Sequence, residues 1–302
     1  MTSTIIKEST KPLKKSVDFA GISSFSINGV TKTIDGQVVV VKFGGNAIMN
    51  ESVLDSLVDD TIAMIKKGVH VILVHGGGTY VNQALSTIGK TTEKVNGLRV
   101  TDDETLSIAV KVFAELNEKL VQKFLSKGSN ALSFCSKSSI PLVAKKMECE
   151  SAGGEKVDLG WVGEIVDVDV SKLDSWLWAG WVPVVSPIAM DCGGNFYNVN
   201  ADHAALAIAT QLQADGLIFC TDVPGVMKDL HDPNSRISHL TPQSAYDFIE
   251  EGTITGGMLP KIKSCVAGIK GGVNQISILN SFEPHALLRG FIAPQEIGTL
   301  IA

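Results

Sequence analysis

The chain has 302 residues, 44% hydrophobic and 19% charged, enough apolar content for a sizeable core and too much for a chain that stays disordered. Its 26 basic and 32 acidic residues leave a formal charge of −6, which argues against gripping nucleic acid by net charge. No uninterrupted run of about 18 to 20 apolar residues offers a membrane span.

Residues 1–35 are rich in Ser, Thr and Lys, carry Pro12, Gly21 and Gly29, and hold no sustained helical or strand period. They read as a partly flexible N-terminal extension or a small appended element. The extension contains Glu8 and Asp18 and lacks arginine, unlike a transit peptide, although organellar targeting is left open. Order begins at Gln37. Val38 to Val41 is a β-branched run that meets Lys42-Phe43-Gly44-Gly45, and a helical segment follows over 51–67. A second apolar run, Val69 to Val74, ends in His75-Gly76-Gly77-Gly78 and feeds another helix. Asp103 to Lys127 reads as one long helix capped by Thr101 or Asp102. Gly160 to Asp169 reads as a hairpin or edge, and Trp181 to Ile188, with Pro183 and Pro187, as a buried strand and its exit. Then come a helix over Asn200 to Leu212, a strand over Gly216 to Thr221, and a helix over Pro242 to Glu251 with Gly252 beyond it. A helix over Lys261 to Lys270 and a strand over Gln275 to Leu279 close the alternation. Short apolar runs alternating with helices predict an α/β fold, a mostly parallel open sheet sandwiched by helices. The composition shift at Asp191-Cys192-Gly193-Gly194-Asn195 marks the junction of two lobes, about 36–193 and 194–302, within one domain over 36–302.

Two glycine-rich turns each follow an apolar strand and precede a helix, where unpaired N–H groups and an open backbone suit a phosphate. They match neither common nucleotide fingerprint. Gly76-Gly77-Gly78-Thr79-Tyr80-Val81 lacks the last glycine of G-x-G-x-x-G, and no G-x-x-x-x-G-K-[ST] occurs. Lys42, at a strand end beside Gly44-Gly45, is placed to stabilise transferring phosphoryl oxygens, and Lys261 repeats the arrangement after Gly256-Gly257. Five scattered cysteines (Cys135, Cys149, Cys192, Cys220, Cys265) include no C-x-x-C pair, which fits a reducing compartment and neither a zinc site nor a disulfide framework.

Lys42-Phe43-Gly44-Gly45, His75-Gly76-Gly77-Gly78, Asn96-Gly97-Leu98-Arg99-Val100-Thr101-Asp102, Tyr197-Asn198-Val199-Asn200-Ala201-Asp202, Thr221-Asp222-Val223-Pro224-Gly225-Val226 and Gly256-Gly257-Met258-Leu259-Pro260-Lys261 stand in order along the chain. In this set the sequence resembles the acetylglutamate kinases of the amino acid kinase family, from about Val38 to the C-terminus. The resemblance implies transfer of the ATP γ-phosphoryl group to the side-chain carboxylate of N-acetyl-L-glutamate, within arginine and ornithine biosynthesis. A carboxylate is already ionised near neutral pH, so such a site needs positioning and charge neutralisation and no general base.

The resemblance further implies that Lys42 and Lys261 act on the phosphates and that Asp202 holds both lysines. Gly44 and Gly45 would offer backbone donors to the phosphates. Gly77 and Gly78 would grip the acyl-amino acid, Arg99 would anchor its α-carboxylate, and Asn198 would hydrogen-bond it. Thr221, Asp222 and Gly225 would lie beside base and ribose. Mg2+ would arrive with ATP, and no resident metal site is expected. The family's habits imply a cytoplasmic homodimer or hexamer. Pro284-His285-Ala286-Leu287-Leu288 and Ile297-Gly298-Thr299 resemble a segment that helps to bind an arginine effector, although Glu296 stands where relatives usually carry glycine.

Plainer readings stand beside these. Asp202 alone also reads as a first-turn helix acid, Arg99 as a surface ion pair, and His75 as a hydrogen-bonded structural imidazole. Cys220 reads as buried and inert, and Trp161, Trp176, Trp178 and Trp181 as core and lobe packing. A related acceptor such as acetylaminoadipate, or a non-catalytic sensor of nucleotide or amino acid, remains an alternative.

Overall fold

Four consecutive valines set the centre of the fold. A computed structural model of the chain describes residues 22–27, 29–150 and 154–302, so the expectations for 1–21 lie outside the described residues. A hairpin of β1 (Ser24–Ile27) and β2 (Val30–Thr33) leads into β3 (Val38–Phe43), short helix α1 (Gly45–Met49) and α2 (Glu51–Ile65). Then follow β4 (His70–His75), α3 (Gly78–Thr87), the small hairpin of β5 (Lys94–Val95) and β6 (Leu98–Arg99), and α4 (Asp103–Ser126). The middle of the chain forms β7 (Ala131–Phe134), β8 (Leu142–Lys146), β9 (Cys149–Glu150), β10 (Lys156–Val157) and β11 (Gly163–Val168). Helix α5 (Ser171–Trp178), β12 (Val182–Val185), β13 (Ile188–Met190), β14 (Phe196–Asn198), α6 (Ala201–Gln211) and β15 (Gly216–Thr221) come next. The C-terminal part comprises β16 (Val226–Met227), β17 (Arg236–Ile237), β18 (His239–Leu240), α7 (Pro242–Glu250) and α8 (Met258–Lys270). It ends in β19 (Ile276–Asn280), α9 (Ala286–Ile292), α10 (Pro294–Ile297) and β20 (Gly298–Ile301).

One eight-stranded sheet runs in the order β18-β20-β19-β15-β3-β4-β12-β7. The run from β19 to β7 is parallel, and β20 pairs antiparallel with β19. Val39, Val40 and Val41 are wholly buried, as continuous apolar strands covered by helices on both faces require. A second sheet, β11-β8-β13-β14, stands beside it, with β11 at its edge as expected for Gly160 to Asp169. The expected fold class is therefore what forms.

Helix starts follow their caps. Asp102 caps α4 by accepting from Thr105 N at 2.8 Å, which decides between Thr101 and Asp102. Asn200 caps α6 through Asp202 N at 2.7 Å, and Thr241 with Ser244 forms a capping box on α7 ahead of which Pro242 fits the first turn.

Three expectations change and one gains detail. Helix α8 begins at Met258 rather than Lys261, because Pro260 falls in the first turn, where no intrahelical N–H bond is lost. Trp181 to Ile188 is the expected buried strand, β12, and its exit. Proline 187 interrupts the ladder between Ser186 and Ile188, and the chain passes from the eight-stranded to the four-stranded sheet there. Residues 191–195 form the turn of the β13–β14 hairpin, so a lobe boundary at 193/194 would divide one sheet. Finally, Trp176 and Trp178 on α5 are 40% and 59% exposed, so the tryptophans are only partly core. Trp176 stacks edge-on against Trp181, and Trp178 against His70.

Candidate active site

The carboxyl ends of β3, β4 and β15 open into one cleft of about 660 Å3, which the first turns of α3, α6 and α8 also face. Aligned peptide dipoles and free N–H groups make such helix starts favourable to anions. The first glycine turn is tied down by Gly44 N donating to Cys220 O at 3.1 Å, and a Cβ on Gly44 would stand 3.0 Å from that oxygen. The second turn is tied by Gly76 N donating to Phe43 O at 2.9 Å. A Cβ on Gly77 would lie 2.7 Å from Leu116 and 2.8 Å from Phe113, so only glycine lets α4 pack this close to the turn.

Asp202 is the hub of the charged groups. Its Oδ1 lies 2.8 Å from Lys42 Nζ, and its Oδ2 accepts from Lys261 Nζ. Lys42 reaches it from the end of β3 and Lys261 from the first turn of α8, while Asp202 itself is the second residue of α6. Burial alone would push the Asp202 carboxyl up, but the two ammonium groups overcome it and hold the carboxyl well below its usual range. Asp202 is thus more than a first-turn acid.

Arg99 is not a surface ion pair. It is 9% exposed, donates to Thr92 Oγ1 at 2.6 Å and to Gly78 O at 3.0 Å, and has no carboxylate partner among the described residues. Burial lowers the guanidinium's affinity for its proton, yet an arginine stays charged. A buried cation held by neutral groups at a cleft wall favours an anionic ligand. Asn198, on β14, points Nδ2 at Thr101 Oγ1, 3.1 Å away, and Thr101 in turn donates to Arg99 O at 2.7 Å. Arg99 and Asn198 are therefore joined through one buried threonine.

The turn after β15 brings Asp222 to the cleft, where Asn46 Nδ2 donates to its Oδ2 at 2.9 Å. The Thr221 hydroxyl is engaged inside the turn, with Val223 O at 3.1 Å and Leu279 O at 3.0 Å. Of the residues expected at the site, Lys42, Gly44, Gly45, Gly77, Gly78, Arg99, Asn198, Asp202, Thr221, Asp222 and Lys261 all line the cleft. Gly225 does not. At φ +130°, with a Cβ position 2.5 Å from Thr299 Oγ1, it is glycine because β20 packs against it. Asn46 and Asn200 were not among the expected residues. Asn46 had a signal, as the first polar residue after Gly44-Gly45; Asn200 had its place two residues before the hub.

His75 is fully buried, with Nδ1 2.9 Å from Gly76 O, as a structural imidazole. Cys220 is fully buried and its thiol is pushed up by that burial, so it is inert. Among the described residues no helix is long and apolar enough to cross a membrane.

Residues 37–280 match the model of the amino acid kinase family. The chain is 38% identical to the acetylglutamate kinase of Methanothrix thermoacetophila over 266 residues, 88% of this chain and 92% of that one. It is 37% identical to the acetylglutamate kinase of Clostridioides difficile over 267 residues, 88% of this chain and 91% of that one. Among solved structures it resembles N-acetylglutamate synthase from Neisseria gonorrhoeae complexed with coenzyme A and N-acetyl-glutamate, at TM-score 0.77 and 25% identity. That likeness covers 89% of this chain and spans 60% of the synthase.

Proposed function

The chain belongs to the amino acid kinase family, and from that premise we propose that it is an acetylglutamate kinase, making N-acetylglutamyl 5-phosphate and ADP from N-acetyl-L-glutamate and ATP. The observation that carries this reading is the Lys42–Asp202–Lys261 bridge in one cleft with Arg99, which has no carboxylate partner among the described residues. Kinase chemistry of this type brings an anion to a polyanion, and the cleft answers with fixed cations and backbone N–H groups.

In this reading a γ-carboxylate oxygen forms a bond to the γ-phosphorus while the bond to the β-bridging oxygen breaks, and ADP leaves with the electron pair. Lys42 spans the donor and transferring phosphates, and Lys261 neutralises charge on the leaving side. Asp202 keeps both ammonium groups aimed before substrates arrive, so little reorganisation is needed at the moment of transfer. Gly44 and Gly45 present backbone donors to the phosphates. Gly77 and Gly78 face the acyl-amino acid, whose α-carboxylate Arg99 binds with its planar fork and whose amide Asn198 holds. Asp222, with Thr221 shaping its turn, lies beside base and ribose. Mg2+ carried by ATP would neutralise charge on its phosphates. We carry over from the resemblance a cytoplasmic homodimer or hexamer, which solution molar mass tests.

The deciding measurement is ADP release with Mg-ATP, with and without N-acetyl-L-glutamate, beside a Lys261→Ala variant. Release should depend on the acceptor and fall by about a hundredfold or more in the variant, with the acceptor's KM little changed. Acetylaminoadipate, one methylene longer, should be the poorer acceptor by about tenfold or more. A folded, ATP-binding protein that releases no ADP with either acceptor would sink the reading. The same assay with millimolar arginine tests the effector: lowered turnover supports it, and unchanged turnover removes it.

A further inference from the structure

Lys261 Nζ sits 4.9 Å from the centroid of the Phe219 ring, and Phe219 is 2% exposed. The ring lies in the middle of β15, where Phe219 is the direct partner of Lys42 on β3. Partnered residues on parallel strands point to the same side of a sheet, so the ring rises on the face from which Lys42 reaches Asp202. Asp202 holds Lys261 by one carboxylate oxygen. A single salt bridge fixes a distance but leaves a flexible four-carbon arm free to swing about it. The aromatic face supplies the second point of support, and its negative quadrupole replaces water lost beneath the ammonium.

We infer that Phe219 is a positioning residue for phosphoryl transfer, its ring fixing where the Lys261 ammonium meets the phosphates. The inference rests on the kinase reading above. It differs from a packing role in a measurable respect. Packing depends on the ring's bulk, whereas attraction for a cation falls as fluorine withdraws electron density from the face.

The experiment places mono-, di- and trifluorinated phenylalanine at position 219 of the full chain, and adds Phe219→Leu. Turnover should fall stepwise with fluorination, reaching about two- to thirtyfold at the end of the series, with the KM for N-acetylglutamate and the melting temperature nearly constant. In protein labelled at lysine Cε, the Lys261 methylene protons should resonate upfield from ring current and lose that shift in Phe219→Leu. A flat turnover series from an active enzyme, or losses that only follow the melting temperature, would overturn the inference while leaving the kinase reading intact. An inactive native chain would instead strike the kinase reading, and absence of the ring-current shift would overturn the placement whatever the activity.

Discussion

His75 ends β4 beneath the second glycine turn, and its two nitrogens are used differently. Nδ1 faces Gly76 O, which can only accept, so Nδ1 carries the proton. Nε2 then accepts from Asn117 Nδ2 at 3.4 Å, an amide whose orientation is set by its 2.8 Å bond to Val184 O. Protonating Nε2 would set two donors against each other in a dry site, and burial accordingly pushes the imidazole down to about 4. A histidine whose folded value lies below its unfolded one binds fewer protons when folded, so stability is lost as pH falls from about 6.5 toward 4. Between pH 7 and pH 5 the loss from this group should be about 2 kcal/mol. Chemical denaturation of His75→Gln should show a shallower decline over that interval, and an unchanged slope would refute the assignment. The sequence offers this imidazole as a hydrogen-bonded structural group even though the glycines after it invite a catalytic reading, and its burial bears the plainer reading out. It could not reveal that Arg99 is buried, since that follows from the β5–β6 hairpin folding the guanidinium back onto Gly78. Nor could it reveal what Gly225 packs against, since Thr299 is remote in sequence.

Elements built on long periodic segments or caps could be placed to within a residue or two, as α4, α6 and α7 show. Those set by remote pairing could not. The β1–β2 hairpin has no period of its own, yet Phe25 is 6% exposed and its ring lies 5.1 Å from that of Phe291 on α9. Phe25 thus packs against α9, and neither strand of the hairpin lines the cleft. Phe25→Ala should therefore cost about 3 kcal/mol of stability while leaving turnover at moderate temperature unchanged. Thermal melting beside steady-state kinetics checks both halves, and an unaltered melting point would mean that the hairpin contributes nothing. A ladder of charges between α2 and α4 was equally hidden. Glu51, Asp55 and Asp59 on one side meet Lys119, Lys123 and Lys127 on the other, across α2 and α4. Each helix shows its charges at four-residue spacing, but only the packed pair shows that they are complementary.

For the molecule as a whole, the alternation of apolar runs and helices was enough to give the parallel sheet, and the glycine turns gave the edge at which ligands should gather. The four-stranded sheet stayed out of reach because β13 and β14 have only three residues each and β13 joins only after Pro187 redirects the chain. The cleft's own charge has a further consequence. The chain carries −6 overall, yet Lys42, Lys94, Arg99 and Lys261 face only Asp202 and Asp222 along the cleft wall. A polyanion drifting toward this molecule meets a net negative charge and is drawn in at the cleft, so encounters are filtered by direction before any hydrogen bond forms. Mobile ions damp that field beyond about 8 Å at physiological ionic strength but scarcely reach the enclosed lysines. Raising salt should therefore lower kcat/KM for ATP in a viscosity-sensitive, capture-limited regime while kcat holds steady, and a kcat that falls in parallel would contradict this. A protein of negative sign thus admits its most highly charged substrate by a positive window, and the salt of its surroundings sets how often that substrate arrives.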